Sequence, residues 1–168
     1  SMLTLLVAWR AAARILGKAA IADPAAAGGL LTAFYMPTRH SQDTTRTAAH
    51  ELAEAIGVAL HTIPLDEAYD REVAAAQLML GGQPPGAMTR QNVQARLRGQ
   101  RMWNWANTSG ALFLQTGDMS EKAVGYTTIG GDLEGSLSVI ANVPKTVVEA
   151  LLARLDARFG LTGIAACL

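Results

Sequence analysis

Short apolar runs alternate with amphipathic stretches along this 168-residue chain, and this alternation constrains its fold more than any other feature. Three runs are apolar, short and bounded by turn-forming residues, as buried strands are, at 30–36, 58–63 and 111–115. The stretches with apolar residues at helical spacing are 2–17, 42–56, 66–80, 89–107, 118–124 and 144–159, the last opened by Pro144 in its first turn. Loops are predicted at 23–29 and 81–86, and 125–141 reads as mostly irregular. This order predicts the α/β class, with a doubly wound parallel sheet between helices.

The amino-acid composition limits the classes of function that the chain can have. Half of the residues are apolar, which is enough for the core of one domain, and 14 basic side chains balance 14 acidic ones. This balance predicts no nucleic-acid partner and no anionic membrane surface. The single cysteine, Cys167, excludes an internal disulfide, and no apolar run approaches the roughly 20 residues that span a bilayer. We expect a soluble, cytoplasmic protein.

The sheet predicts where a ligand would bind. In doubly wound folds ligands lie beyond the carboxyl ends of the strands, which places 37–43, 64–69 and 116–121 at the functional edge. In the last of these, Thr116 offers a hydroxyl where the strand ends, and the turn offers free backbone N–H groups to a phosphate. Glu121 offers a carboxylate that could hold Mg²⁺. The alternative is structural, because Asp118 and Glu121 have the spacing of a capping box.

A helical segment carries the second candidate. Asn92 and Arg96 are one turn apart on the same face, next to a core-facing pair formed by Val93 and Leu97. An amide and a guanidinium held in this way suit a ligand with a carboxylate or phosphate. Spacing alone favours the alternative of a solvated helix face on which Arg98 and Arg101 are ordinary surface charges.

Two weaker candidates follow along the chain. The glycine-rich segment from Gly125 to Asp132 suits a loop that covers a substrate, with the Tyr126 ring as a stacking surface, although a plain surface loop is the default. Lys145 lies near a helix start, where the helix dipole disfavours a cation, which hints at an anionic partner. The three histidines and Cys167 lack the spacing of metal ligands.

Three segments together resemble a known family. They are Gln-Asn-Val-Gln-Ala-Arg-Leu-Arg at 91–98, Leu-Gln-Thr-Gly-Asp-Met-Ser-Glu-Lys-Ala-Val-Gly-Tyr at 114–126 and Asn-Val-Pro-Lys-Thr at 142–146. They resemble the NAD synthetase family, in the family's order and separations, and most closely its glutamine-dependent bacterial members. The resemblance implies an adenine nucleotide alpha-hydrolase-like fold, that of the N-type ATP pyrophosphatases. Ile129 stands where ammonia-dependent members have lysine.

The resemblance also implies a reaction. The nicotinate carboxylate of nicotinic acid adenine dinucleotide (deamido-NAD) would attack the α-phosphorus of ATP, and pyrophosphate would leave. Ammonia from a glutaminase domain would then displace AMP from the adenylated carboxyl and leave the amide of NAD. Catalysis of this kind depends mainly on positioning and on neutralising phosphate charge.

By match to the family motifs, each candidate residue receives an expected role. The implied deamido-NAD site comprises Asn92, Arg96, Glu121, Tyr126 and Asp132. The implied ATP site comprises Ser1, Thr116 and Lys145, with Glu121 as the Mg²⁺ ligand and with Glu121 and Lys145 as the catalytic pair.

The departures from the family lie outside these motifs. The family's Ser-Gly-Gly-x-Asp-Ser pyrophosphate loop does not occur in the chain, and Ser1 is either its last serine or a cloning remnant. We therefore expect 1–168 to be one partial synthetase domain, incomplete at both ends, without the glutaminase domain and inactive alone. The family's pairing implies a dimer-based homo-oligomer. The rival functions are adenylation of another carboxylate by a related ATP pyrophosphatase, and a non-catalytic remnant that binds nucleotide or a partner chain.

Overall fold

Helices and strands alternate in the computed structural model, which describes residues 2–17 and 24–164. The elements along the chain are α1 (Met2–Leu16), α2 (Pro24–Gly28), β1 (Thr32–Tyr35), α3 (Asp43–Ala55), β2 (Ala59–Thr62), α4 (Asp66–Met79), α5 (Ala87–Ser109), β3 (Leu114–Gln115), α6 (Met119–Ala123), β4 (Leu137–Ser138) and α7 (Lys145–Phe159). This is the predicted α/β class, with helices between short strands.

The strands pair in parallel, as predicted, in two separate ladders. Strand β1 pairs with β2 from Thr32↔Ala59 to Tyr35↔Thr62, and β3 pairs with β4 at Leu114↔Leu137 and Gln115↔Ser138. Each strand is shorter than its apolar run. Before β1, for example, the N–H of Leu31 bonds to Gly28 O at 2.9 Å and belongs to the turn after α2.

Two apolar clusters cover the two sides of β1. The first lies among α1, α3 and α7, with Leu6 and Leu52 at its centre, and Ala33 packs against it. The second lies between α4 and α5 and includes Leu97, with Phe34 packed against it. Because successive side chains of a strand point to opposite faces, β1 supports helices on both sides, as a doubly wound fold requires.

Three details of the sequence prediction need correction. Residues 24–28 of the predicted loop 23–29 are helical, because a first-turn proline followed by three alanines favours a helix. Helix α5 extends past both predicted ends and stops at Gly110, whose φ of 70° is left-handed. Pro144 precedes α7 as its N-cap, with an extended ψ of 155°, so Lys145 is the first helical residue.

Two other expectations, on the segment after α6 and on the core face of α5, are met. Residues 125–141 are irregular apart from β4, and Val93 and Leu97 face the second cluster. None of the helices in the described ranges has the length and apolarity needed to cross a membrane. Ser1 and Cys167 lie outside the described residues.

Candidate functional site

The turn after β3 holds a lysine between two carboxylates. The Lys145 ammonium lies 2.5 Å from Asp118 Oδ2 and 2.9 Å from Glu121 Oε1. The remaining oxygens of both acids form the predicted capping box. Glu121 N donates to Asp118 Oδ1 at 2.9 Å, and Asp118 N donates to Glu121 Oε2 at 3.0 Å. The capping alternative for Glu121 is therefore confirmed, and it leaves Oε1 on the side of Lys145.

Exposure differs sharply within this cluster. The Asp118 side chain is 2% exposed, whereas those of Glu121 and Lys145 are 35% and 47% exposed. Burial alone would raise the pKa of Asp118, but hydrogen bonds from the Lys145 ammonium and from Glu121 N outweigh it and hold that pKa below its ordinary value. The hydrogen bonds to Asp118 and then to Glu121 raise the pKa of Lys145. The three groups carry one net negative charge. Only the Glu121 and Lys145 side chains reach the surface.

The local chain explains why these groups meet. Lys145 begins α7, and α7 is anchored to the turn because Lys145 N donates to Ser120 Oγ at 3.0 Å and Met119 N donates to Val143 O at 3.0 Å. Thr116 is exposed directly before the buried Gly117. The predicted Glu121 and Lys145 thus lie together, and the predicted Thr116 is exposed at the start of the same turn.

The pair on α5 contacts the glycine-rich loop, which comprises residues 125–136 between α6 and β4. Asn92 Oδ1 accepts a hydrogen bond from Thr128 Oγ1 at 3.0 Å, and Arg96 Nε donates to Ile129 O at 3.0 Å. The two residues share a face, as predicted, but part of their hydrogen-bonding capacity holds the loop. Arg96 is exposed, so most of its guanidinium remains open to a ligand.

The loop lies directly on the α5 backbone because glycines permit the contact. A Cβ on Gly131 would lie 2.8 Å from the carbonyl carbon of Ala95, and one on Gly99 would lie 3.1 Å from Gly130 O. Gly130 itself has φ 77°, a left-handed value that favours glycine. The loop backbone therefore packs directly against the α5 backbone.

The two remaining candidate residues on the loop, Tyr126 and Asp132, are accessible to a ligand. Tyr126 is 79% exposed, with its N–H bonded to Glu121 O at 3.0 Å, and the Asp132 side chain is also exposed. A groove of about 510 Å³ opens between α4, α5 and the loop, lined by Glu72, Val93, Arg96, Leu97, Gln100, Trp103, Gly130 and Glu134. Its lining combines apolar and aromatic side chains with the Arg96 guanidinium and two carboxylates.

Sequence reasoning missed two kinds of contact. Arg98 and Arg101 are not free surface charges, because Arg98 Nε donates to Met36 O at 3.1 Å and Arg101 Nη1 donates to Pro64 O at 2.9 Å. They attach α5 to the segments just beyond β1 and β2, and burial lowers the pKa of Arg98. Asp118 was assigned only to the helix cap, and no local signal in the sequence indicates its ion pair with Lys145, which follows 27 residues later.

Glu121 is the described residue that the resemblance implies as a Mg²⁺ ligand. No group of three or more His, Cys, Asp or Glu side chains in the described part of the chain could hold a metal ion by itself. Glu121 offers hard carboxylate oxygen at the surface, and Mg²⁺ is usually bound by one or two carboxylates together with substrate phosphates. The residues fit a magnesium ion that arrives with a nucleotide.

The chain is an α/β protein with adjoining polar surfaces at the end of β3 and along α5. A family model for NAD synthase matches residues 15–159. The chain belongs to the NAD synthase family. It shares the family's adenine nucleotide alpha-hydrolase-like fold, and the resemblance seen in the sequence is confirmed.

Individual relatives agree with this assignment. The glutamine-dependent NAD(+) synthetase of Synechocystis sp. is 38% identical over 136 residues, which cover 79% of this chain and 24% of the relative. The structure of a glutamine-dependent NAD(+) synthetase from Cytophaga hutchinsonii matches with a TM-score of 0.77 and 33% identity, over 82% of this chain and 24% of that one. That of the Acinetobacter baumannii enzyme in complex with ADP matches with a TM-score of 0.74 and 30% identity, over 79% and 25%. The chain spans about a quarter of the length of the curated relatives it matches.

Proposed function

We propose that this chain is part of a glutamine-dependent NAD synthetase. In this proposal ATP adenylates the nicotinate carboxylate of deamido-NAD, and ammonia released from glutamine by a glutaminase domain displaces AMP. The observation that carries the proposal is that the three family segments form two adjoining surfaces. Arg96 and Asn92 hold the loop at 128–131, and Lys145 reaches the turn at 118–121.

The α5 surface is the proposed dinucleotide site. Arg96 presents a planar, permanently charged fork to a phosphate or carboxylate, and Asn92 adds an amide. Tyr126 offers an exposed ring for stacking, and Asp132 offers an acceptor for a sugar hydroxyl or an amide. Residues held on a helix give the ligand a fixed frame, which favours productive orientation of the reacting carboxylate.

The turn after β3 is the proposed ATP site. Thr116 would donate its hydroxyl to a phosphate, and Lys145 would turn its ammonium from the carboxylates toward phosphate oxygens. Glu121 would hold Mg²⁺, which when bound neutralises phosphate charge. The ADP named with the Acinetobacter baumannii relative supports nucleotide binding on this fold. The proposed role of Ser1 concerns a residue outside the described ranges.

The assembly and location of the enzyme follow the family resemblance. We propose a dimer-based homo-oligomer and a cytoplasmic enzyme. Exposed apolar side chains at the junction of α4 and α5, among them Leu78, Met79 and Met88, are compatible with a protein contact there.

The proposal is tested by ligand binding and turnover on the 168-residue chain. Calorimetric titration should show binding of deamido-NAD and of ATP with Mg²⁺. With ATP, Mg²⁺, ammonia and deamido-NAD together we expect no turnover, because the chain contains no Ser-Gly-Gly-x-Asp-Ser loop to bind pyrophosphate. Clear turnover would contradict this expectation.

Competing ligands separate the rival functions. Xanthosine monophosphate, which would present a ring carbonyl oxygen, and aspartate, which would present a carboxylate, serve as alternative acceptors of the adenylyl group. Nicotinic acid mononucleotide tests whether the adenosine half of deamido-NAD contributes. Preferred binding of xanthosine monophosphate or aspartate would support a related ATP pyrophosphatase. Binding of ATP without deamido-NAD would support a non-catalytic remnant that binds nucleotide, and binding of neither would support one that packs against a partner chain. Either result would overturn the proposal.

A further inference from the structure

Gln115 is a buried amide between the two proposed sites. It ends β3, directly before Thr116, and is 3% exposed. Its Nε2 donates to Asp132 O at 3.0 Å, and its Oε1 accepts a hydrogen bond from Ser138 Oγ on β4. Burying an amide without partners is costly, so these bonds hold the side chain in place.

The two partners also fix which way the amide points. The main-chain oxygen of Asp132 can only accept, so it requires the NH₂ end, and the Ser138 hydroxyl can donate to the oxygen end. Turning the amide over would place two acceptors against each other at Asp132. Gln115 therefore binds the glycine-rich loop at one defined atom, the Asp132 main-chain oxygen.

Two glycines show how closely the chain surrounds Gln115. A Cβ on Gly135, at the far end of the loop, would lie 2.7 Å from Gln115 N. A Cβ on Gly117, in the turn of the proposed ATP site, would lie 3.1 Å from Gln115 Nε2. Next to this contact, Ser136 N donates to Phe113 O at 2.7 Å. One side chain thus contacts both the loop and the turn.

We propose that Gln115 is a positioning residue that sets the dinucleotide loop against the nucleotide turn. The inference rests on the proposed function for the identity of the two ligands. Gln115 touches neither ligand in this account. It acts through the Asp132 main chain, which places the Asp132 side chain and, through the loop, the Ile129 carbonyl held by Arg96. Loss of the amide should loosen the loop and leave the turn, with its own capping box, in place.

The test compares affinities for the two ligands in the 168-residue chain. Gln115→Met keeps the length and apolar volume of the side chain and removes both hydrogen bonds. We expect the Kd for deamido-NAD to rise about tenfold, as the loss of one well-placed hydrogen bond would predict, and the Kd for ATP with Mg²⁺ to stay within about twofold. Amides whose hydrogen bonds lie within the loop, those of Gly131 and Glu134, should exchange with solvent faster.

Two further variants keep the test decisive. Ser138→Ala removes the bond to Gln115 Oε1 and the surface bond from Lys122 Nζ, keeps the bond from Gln115 Nε2 to Asp132 O, and should preserve deamido-NAD affinity. Gln115→Asn keeps an amide but falls one methylene short of Asp132, so it replaces Gln115→Met should that variant fail to fold.

The outcomes separate this inference from the proposed function. Equal losses of affinity for both ligands, or no loss for either, would show that Gln115 only supports the fold and would overturn the inference. If the wild-type chain binds no deamido-NAD, the proposed function fails instead. The exchange rates of Gly131 and Glu134 then still decide whether Gln115 positions the loop, and unchanged rates would overturn that claim.

Discussion

Replacing Lys145 by methionine tests the ion cluster at the proposed ATP site. The substitution keeps most of the apolar stem and removes the ammonium that lies 2.5 Å from Asp118 and 2.9 Å from Glu121. The Asp118 carboxylate, 2% exposed, then keeps only its backbone cap. We expect the variant to be less stable because a buried charge loses its partner.

The magnitude follows from the exposure of each group. A hydrogen bond to a charged group contributes about 1.5–3 kcal/mol, and the lysine makes two of them. Because the Lys145 side chain is 47% exposed, water screens the pair and can replace the ammonium in part. We therefore expect a loss of about 2 kcal/mol in the free energy of unfolding, or roughly 4–8 °C in Tm for a chain of this size.

The assay is urea unfolding followed by circular dichroism. Lys122→Met is the matched control, because Lys122 bonds to the Ser138 hydroxyl at 2.9 Å on the surface, and it should change stability by no more than about 0.5 kcal/mol. A double-mutant cycle with Asp118→Asn should give a coupling energy of about 1 kcal/mol. Equal stability of Lys145→Met and wild type at pH 7 would refute the reasoning.

The same variant has a pH signature. The folded-state pKa of Asp118 is depressed, so its contribution is fully present above the unfolded value of about 3.9 and is lost as pH falls through the folded value. The stability gap between wild type and Lys145→Met should hold at pH 6–7 and close under acid conditions. If the stability difference persisted far below pH 3.9, it would come from packing of the lysine stem and not from the ion pair.

Two further predictions concern ligand binding. Glu121→Gln keeps an oxygen for the N–H of Asp118 and loses the charge, so the free energy of unfolding should change by less than about 1 kcal/mol. The Mg²⁺ dependence of ATP binding should disappear. ATP binding that Mg²⁺ still enhanced would reduce Glu121 to its capping role. Gly131→Ala places a Cβ 2.8 Å from the Ala95 carbonyl carbon and should weaken deamido-NAD binding by displacing the loop, whereas Gly86→Ala, which meets no atom within 4 Å, should leave the titration unchanged.

Much of the fold was predictable because local signals agree with the tertiary structure. Apolar periodicity located every long helix, and the placement of Val93 and Leu97 on the core side of α5 follows from helical spacing alone. The shared face of Asn92 and Arg96 follows from the same geometry. The capping box at Asp118 and Glu121 was readable because its spacing is local.

The remaining features depend on contacts between distant segments. No local pattern specifies that Lys145 meets Asp118, or that Arg98 reaches the Met36 carbonyl beyond β1. Gln115 ends an apolar run as a polar residue, which was a signal, but its partners lie on the glycine-rich loop and β4. Helix α2 was missed because its proline and glycines resemble a turn, and the alanines between them outweigh that signal.

The most direct test of the dinucleotide site is the affinity of the chain for deamido-NAD with and without the Arg96 guanidinium. Arg90→Met is the matched control, since Arg90 lies on the same helix and donates to Pro85 O at 3.1 Å. Loss of a charge-assisted contact predicts a Kd between about tenfold and a hundredfold higher for Arg96→Met, and no more than about a twofold change for Arg90→Met. Equal affinities for Arg96→Met and wild type would contradict the assignment of α5 and its loop as the deamido-NAD site.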